Sequence, residues 1–220
     1  MIMNNFKNYH HINMIDKVRH DGLYLLERSL NSFDGYDAFI NNSKESTRVL
    51  VHQKWDANSE TKKIIGRAED IDIGNLIKID NTNWLIVTFP EDNRIYHKAE
   101  MRLCNTTFPV KTIITEEPLL DENGQPILDR FGDPIYKTIE ETISVPCIAE
   151  KPNYTVDSPN KLPVLDGDLN IWIQYREDNL PEINYTFKMY NQTFKVNGLN
   201  FSKVINGKGI VGISAKVVID

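Results

Sequence analysis

The feature that most constrains this chain is the stretch GNLIKIDNTNWLIVTFPEDNRIYHKAEMRLCN, Gly74 to Asn105. Its apolar residues recur with period two and are broken by turn residues, a pattern that buries one face of a strand and not of a helix. GNLIKID reads as a strand stopped at the turn Asp80-Asn81-Thr82-Asn83, and NWLIVTFP as the returning strand, closed by Pro90. In IYHKAEMRLCN, Tyr96, Lys98, Glu100 and Arg102 fall on one face and His97, Ala99, Met101 and Leu103 on the other. One face is mostly charged and the other mostly apolar, as in a half-buried barrel wall. Trp84 and Cys104 are expected in the core.

The rest of the chain extends the pattern. Residues 1–46 read as an arm and a short helix: the first 15 residues are polar and aperiodic, whereas Val18, Leu23, Leu26 and Leu30 recur at helical spacing across Gly22. The segment 32–46 is turn-rich and expected to be irregular. Residues 47–150 read as a barrel-like domain, with TRVLVHQ and KKIIGRAED as further strands and a long hairpin over 110–145. The hairpin's connector holds the turn signals Asn123-Gly124 and Gly132-Asp133. Residues 151–163 contain three prolines and no periodicity, and read as a linker. Residues 164–220 read as a C-terminal β domain or extension of at least four strands. An internal echo pairs GNLIKID and NTNWLIV with GDLNIWI and NQTFKVNG. The expected class is mainly β: one or two small barrel- or sandwich-like domains with a short N-terminal helix and a protruding hairpin.

Charge and chemistry narrow the function. A net charge of −6 and a pI near 5.4 argue against electrostatically driven nucleic-acid binding, which needs a basic face. No apolar run approaches the ~20 residues that span a bilayer, and the N-terminus lacks a signal-peptide core. Use in a cytoplasm or an assembled particle is expected, and in that setting Cys104 and Cys147 are expected as free thiols more than as a bridge. The histidines His10, His11, His20, His52 and His97 have no Cys or carboxylate at metal-ligand spacing. Glu116-Glu117 and Glu140-Glu141 are sequence neighbours on strands, so each pair points to opposite faces. His97 and Cys104 are ~23 Å apart on an extended strand, too far for a dyad. Nucleotide loops and the GxSxG elbow are missing. No catalytic, cofactor-binding or metal residue is therefore assigned. Trp55, Trp84, Trp172, Tyr96 and Phe194 fit core packing, with an exposed glycan-binding platform as the alternative.

The order Gly74, Trp84, Tyr96-x-Lys98, Cys104-Asn105 and Pro146-Cys147-Ile148 resembles the head–tail connector and head-completion proteins, adaptors and stoppers, of tailed phages of low-GC hosts. The resemblance covers residues 47–149 best. It implies a structural virion protein without enzymatic activity, which forms a homo-oligomeric ring at the neck and binds portal or adaptor and tail proteins. DNA would be only non-specific channel content beside an acidic wall, with no membrane involved. The protein would be made in the host cytoplasm and end in the virion. An open barrel would leave edges for strand addition between neighbours. The hairpin residues Asp121, Asn123, Gly124, Arg130, Phe131 and Gly132 are the expected interface. The alternative is a tail-tip or baseplate module that recognises a surface glycan or protein.

Overall fold

The computed structural model of the chain describes residues 13–53, 60–121, 124–151 and 169–218. Helix α1, Met14–Leu30, is capped by Asn13, whose side chain accepts from the Ile15 N–H. It runs through Gly22, where the lack of a side chain leaves room for Ile95. Leu26 and Leu30 are buried against the body, and Arg67 clamps Glu27 with two hydrogen bonds of 2.7 and 2.9 Å.

The strands β1 (Gly35–Ile40), β2 (Ser46–Gln53), β3 (Thr61–Gly66), β4 (Leu76–Ile79), β5 (Thr82–Ile86), β6 (Glu91–Asp92) and β7 (His97–Leu103) form one antiparallel sheet in the order β3-β2-β1-β4-β5-β7-β6. A further ladder joins β3 to β7, from Thr61↔Arg102 to Gly66↔His97, and so closes six of these strands into a barrel. Its interior is filled by Ala38, Val49, Ile64, Ile77, Trp84, Ile86, Ala99 and Met101. The expectation of an open barrel is thus corrected for this half, where closure removes the strand edges. The expected irregular segment 32–46 is corrected too, since it contains β1. The sequence signal there is weak because only Ala38 of that strand is buried.

The second sheet holds β8 (Thr106–Pro118), β9 (Tyr136–Glu150), β10 (Leu169–Gln174), β11 (Thr186–Met189), β12 (Gln192–Ile205) and β13 (Lys208–Val217), ordered β11-β12-β13-β10-β9-β8. Strand for strand this repeats the first barrel, with β8 to β13 in the places of β1, β2, β3, β4, β5 and β7. The match extends to single hydrogen bonds. Gly74 N–H donates to Ile86 O and Ile86 N–H to Asn75 O, as Asn184 N–H does to Val196 O and Val196 N–H to Tyr185 O. Both hairpins turn through two residues of positive φ, Asp80-Asn81 and Tyr190-Asn191. The repeat is thus present in the fold, and the sequence echo catches half of it: NTNWLIV corresponds to NQTFKVN, but GNLIKID corresponds to NYTFKMY, while residues 169–173 of GDLNIWI lie on β10, the counterpart of β3.

One seam differs. In the first barrel β1 pairs with β4, at Phe39↔Lys78 and Ile40↔Ile77. In the second, β8 and β11 are the two ends of the sheet and share no ladder. Phe108 of β8 packs edge-on against Phe187 of β11 with ring centroids 4.9 Å apart, filling the seam with side chains. The chain changes sheet at Cys104-Asn105, whereas the sequence divides most simply at 151–163. Residues 1–12 and Trp55, like 152–168 within and after that linker, lie outside the described residues.

The two barrels meet through Leu85, Val87, Ile148, Trp172 and Ile210, with Cys104 packed alongside. At the tightest point Gly74 (φ +81°) lies against Gly209, so closely that a Cβ at Gly74 would collide with the Gly209 backbone. Neither neighbour can yield, because both are main chain. Gly74→Ala is expected to destabilise the protein by about 3 kcal/mol, adding a strained φ to the clash. Urea unfolding of the two proteins measures it, and an unchanged midpoint would contradict this packing.

Candidate interaction surface

The long hairpin predicted over 110–145 is present as an arm. Strands β8 and β9 pair from Thr106↔Cys147 to Pro118↔Tyr136, while β10 covers β9 only at Ile148, Ala149 and Glu150. Beyond the root, the arm is a two-stranded ribbon.

Its tip is a tandem repeat, Leu120-Asp121-Glu122-Asn123-Gly124-Gln125-Pro126-Ile127 followed by Leu128-Asp129-Arg130-Phe131-Gly132-Asp133-Pro134-Ile135. The described residues of the two copies fold alike. The Asp carboxylate accepts the main-chain N–H four residues on, Gln125 to Asp121 and Asp133 to Asp129. Gly124 and Gly132 take φ of +78° and +91°. Single bridges join Leu120 to Pro126 and Leu128 to Pro134. Between these two turns and the ribbon, three hydrogen bonds run in a ring: Leu119 N–H to Ile135 O, Ile127 N–H to Leu119 O, and Ile135 N–H to Ile127 O, each 2.7–2.8 Å. The tip is thus a three-way junction. Leu120, Leu128, Phe131 and Tyr136 stand exposed on it, Phe131 at 75%, and the Arg130 guanidinium lies 4.7 Å from the Phe131 ring centre. Of the expected interface residues, Asp121, Gly124, Arg130, Phe131 and Gly132 come together here, and Asn123 lies outside the described residues.

The residues that carry the family resemblance are placed in the body. Trp84 is buried in the first barrel with Lys62 4.6 Å above its ring, Tyr96 is half-buried, and Lys98 pairs with Glu91 at 3.7 Å. Cys104, Asn105, Pro146 and Cys147 meet at the root of the arm. There the Asn105 side chain donates to Ala149 O and accepts from Ala149 N–H, at 2.8 and 2.9 Å, and Arg102 meets Glu150 beside it. Burial pushes the Cys104 thiol up to about 12 and the Cys147 thiol higher still, with Cys104 adding to the latter. Both are free, and neither is a thiolate nucleophile at neutral pH.

A cleft of about 430 Å³ opens between the barrels. Sequence reasoning missed it, because its side chains come from distant loops. Gln174 donates to Asn41 Oδ1 at 2.6 Å, Asn41 Nδ2 to Asn75 Oδ1 at 2.9 Å, and Asn75 Nδ2 to Asp70 O at 2.9 Å. These amides satisfy one another and tie the two barrels together across the cleft. Burial raises the Asp70 carboxyl, helped by Glu69. Among the described residues, no group of three or more His, Cys, Asp or Glu is placed to hold a metal ion. None of the described helices is long and apolar enough to cross a membrane.

Comparison with known proteins respects the same division. Residues 7–103 match the YomX N-terminal domain and residues 106–216 the YomX C-terminal domain. The chain belongs to the YomX family. It is 29% identical over 216 residues to the "SPbeta prophage-derived uncharacterized protein YomX" of Bacillus subtilis (strain 168), with 97% of each chain covered. No solved structure matches. The kinship makes this a phage-related protein, and the two YomX domains coincide with the two barrels. In the folded protein Cys147 is expected to stay silent towards a disulfide thiol reagent, and Cys104 to react slowly, with both titrating at once in urea. Rapid native labelling of Cys147 would contradict its burial.

Proposed function

We propose that this protein is a structural, non-enzymatic component of a tailed-phage particle, assembled as a ring at the neck and joining portal- or adaptor-side partners to the tail. One observation carries the reading: an arm of 13- and 15-residue strands ends in a self-folded tip that exposes Leu120, Leu128 and Phe131. A two-stranded ribbon is marginal alone in water, and an exposed apolar tip is costly to solubility. Both make sense for an arm that is covered once the particle is built. Kinship with a prophage-derived protein supports the same setting. So does the acidic balance of −6, which suits a wall along which packaged DNA passes without adhering. The protein would act in the host cytoplasm during assembly and remain in the virion.

Deleting Asp121 to Gly132 in the phage is the test. The shortened protein is expected to keep its melting temperature and β-type circular dichroism, because both barrels lie outside the deletion. Infectious particles are expected to be lost, with heads that leak DNA or carry no tails under the electron microscope. Normal particle yield would refute the role of the arm. Complete particles that fail to adsorb to cells would instead move the arm to surface recognition at a tail tip or baseplate.

A further inference from the structure

The outer face of β11, β12 and β13 carries charges that the sheet itself does not need. On these strands Phe187, Phe194, Val196 and Ala215 point inward and are buried, while Lys188, Lys195 and Lys216 are exposed on the opposite face. Lys195 stands directly opposite Lys216. Lys188 lies diagonally across from Lys195, because Thr186 pairs with Lys195 and Lys188 with Thr193. Such diagonal neighbours are ~7–8 Å apart, and like charges directly opposite one another destabilise a ladder. Among the described residues none of the three makes an ion pair. Tyr190, 58% exposed, adds an aromatic ring at the end of β11.

The arm tip has the complementary character. In residues 118–135 four acidic residues stand against one arginine. Asp121, Asp129 and Asp133 are exposed there, beside the exposed Leu120, Leu128 and Phe131. The arm cannot bring its tip to its own lysines. Phe108, at the root, touches Phe187, the neighbour of Lys188. Leu120 lies about 40 Å further along, at ~3.3 Å per residue of strand.

We propose that the acidic, apolar-studded tip of one copy docks on the Lys188, Lys195 and Lys216 face of a second copy. The inference rests on the reading of the protein as a self-assembling neck component, and it supplies the copy-to-copy contact. Tip and lysine face are different surfaces, so the contact is heterologous, the type that closes into a ring when the rotation per copy allows. Lys188, Lys195 and Lys216 are all exposed, so the side chains of an incoming arm can reach this face. The charges are exposed, so the contact weakens as salt rises.

The test uses three full-length or near-full-length proteins: wild type, the variant Lys188→Glu, Lys195→Glu, Lys216→Glu, and the protein lacking Asp121 to Gly132. Circular dichroism melts confirm that each is folded, and sedimentation at low and high salt reads self-association. The wild type is expected to self-associate reversibly and to dissociate in high salt. Each altered protein alone is expected to associate at least about tenfold more weakly. Their equimolar mixture is expected to form a two-copy complex and nothing larger, since one brings only a tip and the other only a lysine face. A wild type that stays monomeric, a lysine variant that associates as the wild type does, or a mixture without complex would each overturn the inference. So would a lysine variant that loses only binding to a short DNA duplex. If the arm deletion still abolishes particle assembly in the phage while the purified wild type is monomeric, the copy-to-copy contact falls and the neck reading stands.

Discussion

The whole fold depends on the ladder between β3 and β7. Those six residue pairs join the two ends of the run β3-β2-β1-β4-β5-β7 and leave only the short β6 at an edge of the sheet. After Leu103 the described residues of that sheet offer no edge longer than the two-residue β6, and the remaining residues build a sheet of their own. They do so by repeating the same strand order, with the counterpart ladder between β10 and β13. Among the described residues the repeat has no counterpart of β6, and across the six strands that correspond it is incomplete at one seam. Where β1 is held on both sides, β8 is held on one, and Phe108 and Phe187 fill the gap that a β8–β11 ladder would have closed. A strand bound along one edge can run on past the body, and β8 does so together with β9.

The arm is nevertheless anchored firmly where it leaves. Asn105 bonds both main-chain groups of Ala149, Arg102 reaches across to Glu150, and Ile148 lies in the apolar junction with Leu85 and Trp172. On the far side of the junction Gly74 meets Gly209, and Lys203 donates to the carbonyl of Val87 at 3.0 Å. Burial lowers the affinity of the Lys203 amine for its proton, the expected response of an ammonium that has a carbonyl and no carboxylate for company. The direction of the arm is thus set by the first barrel as much as by the second.

Much of this was legible in the residues. The period-two alternation from Gly74 to Asn105 located β4, β5 and β7, and the turn signals at Asn123-Gly124 and Gly132-Asp133 located the hairpin. What failed to show has identifiable causes. β1 buries little beyond Ala38, so its periodicity is faint. Barrel closure depends on a ladder between strands far apart in sequence, which no local pattern records. The repeat was half legible: NTNWLIV and NQTFKVN pair in space as in letters, but GDLNIWI mimics GNLIKID in letters while the counterpart of GNLIKID in space is NYTFKMY. The tandem repeat at the tip is readable in plain sequence, yet its two Leu-Asp-x-x-Gly-x-Pro-Ile units escape notice when each turn signal is weighed singly. The lysine face could not be read, since Lys188, Lys195 and Lys216 are gathered only by the register of three strands.

The ring of hydrogen bonds among Leu119, Ile127 and Ile135 also bears on the docking proposed for the arm tip. Its main-chain donors and acceptors at the junction are spent on one another, so a visitor finds no strand edge there to join. The docking proposed for the tip would then rely on the shape and charge of side chains held up by a fixed backbone. In the second copy the Asp129 carboxylate, the Gly132 conformation and Pro134 build the turn and Phe131 adds its main-chain N–H, which donates to Asp129, whereas the Arg130 and Phe131 side chains pack on each other. The second turn thereby separates scaffold from display: the side chains at 130 and 131 can change without redrawing the backbone that carries them.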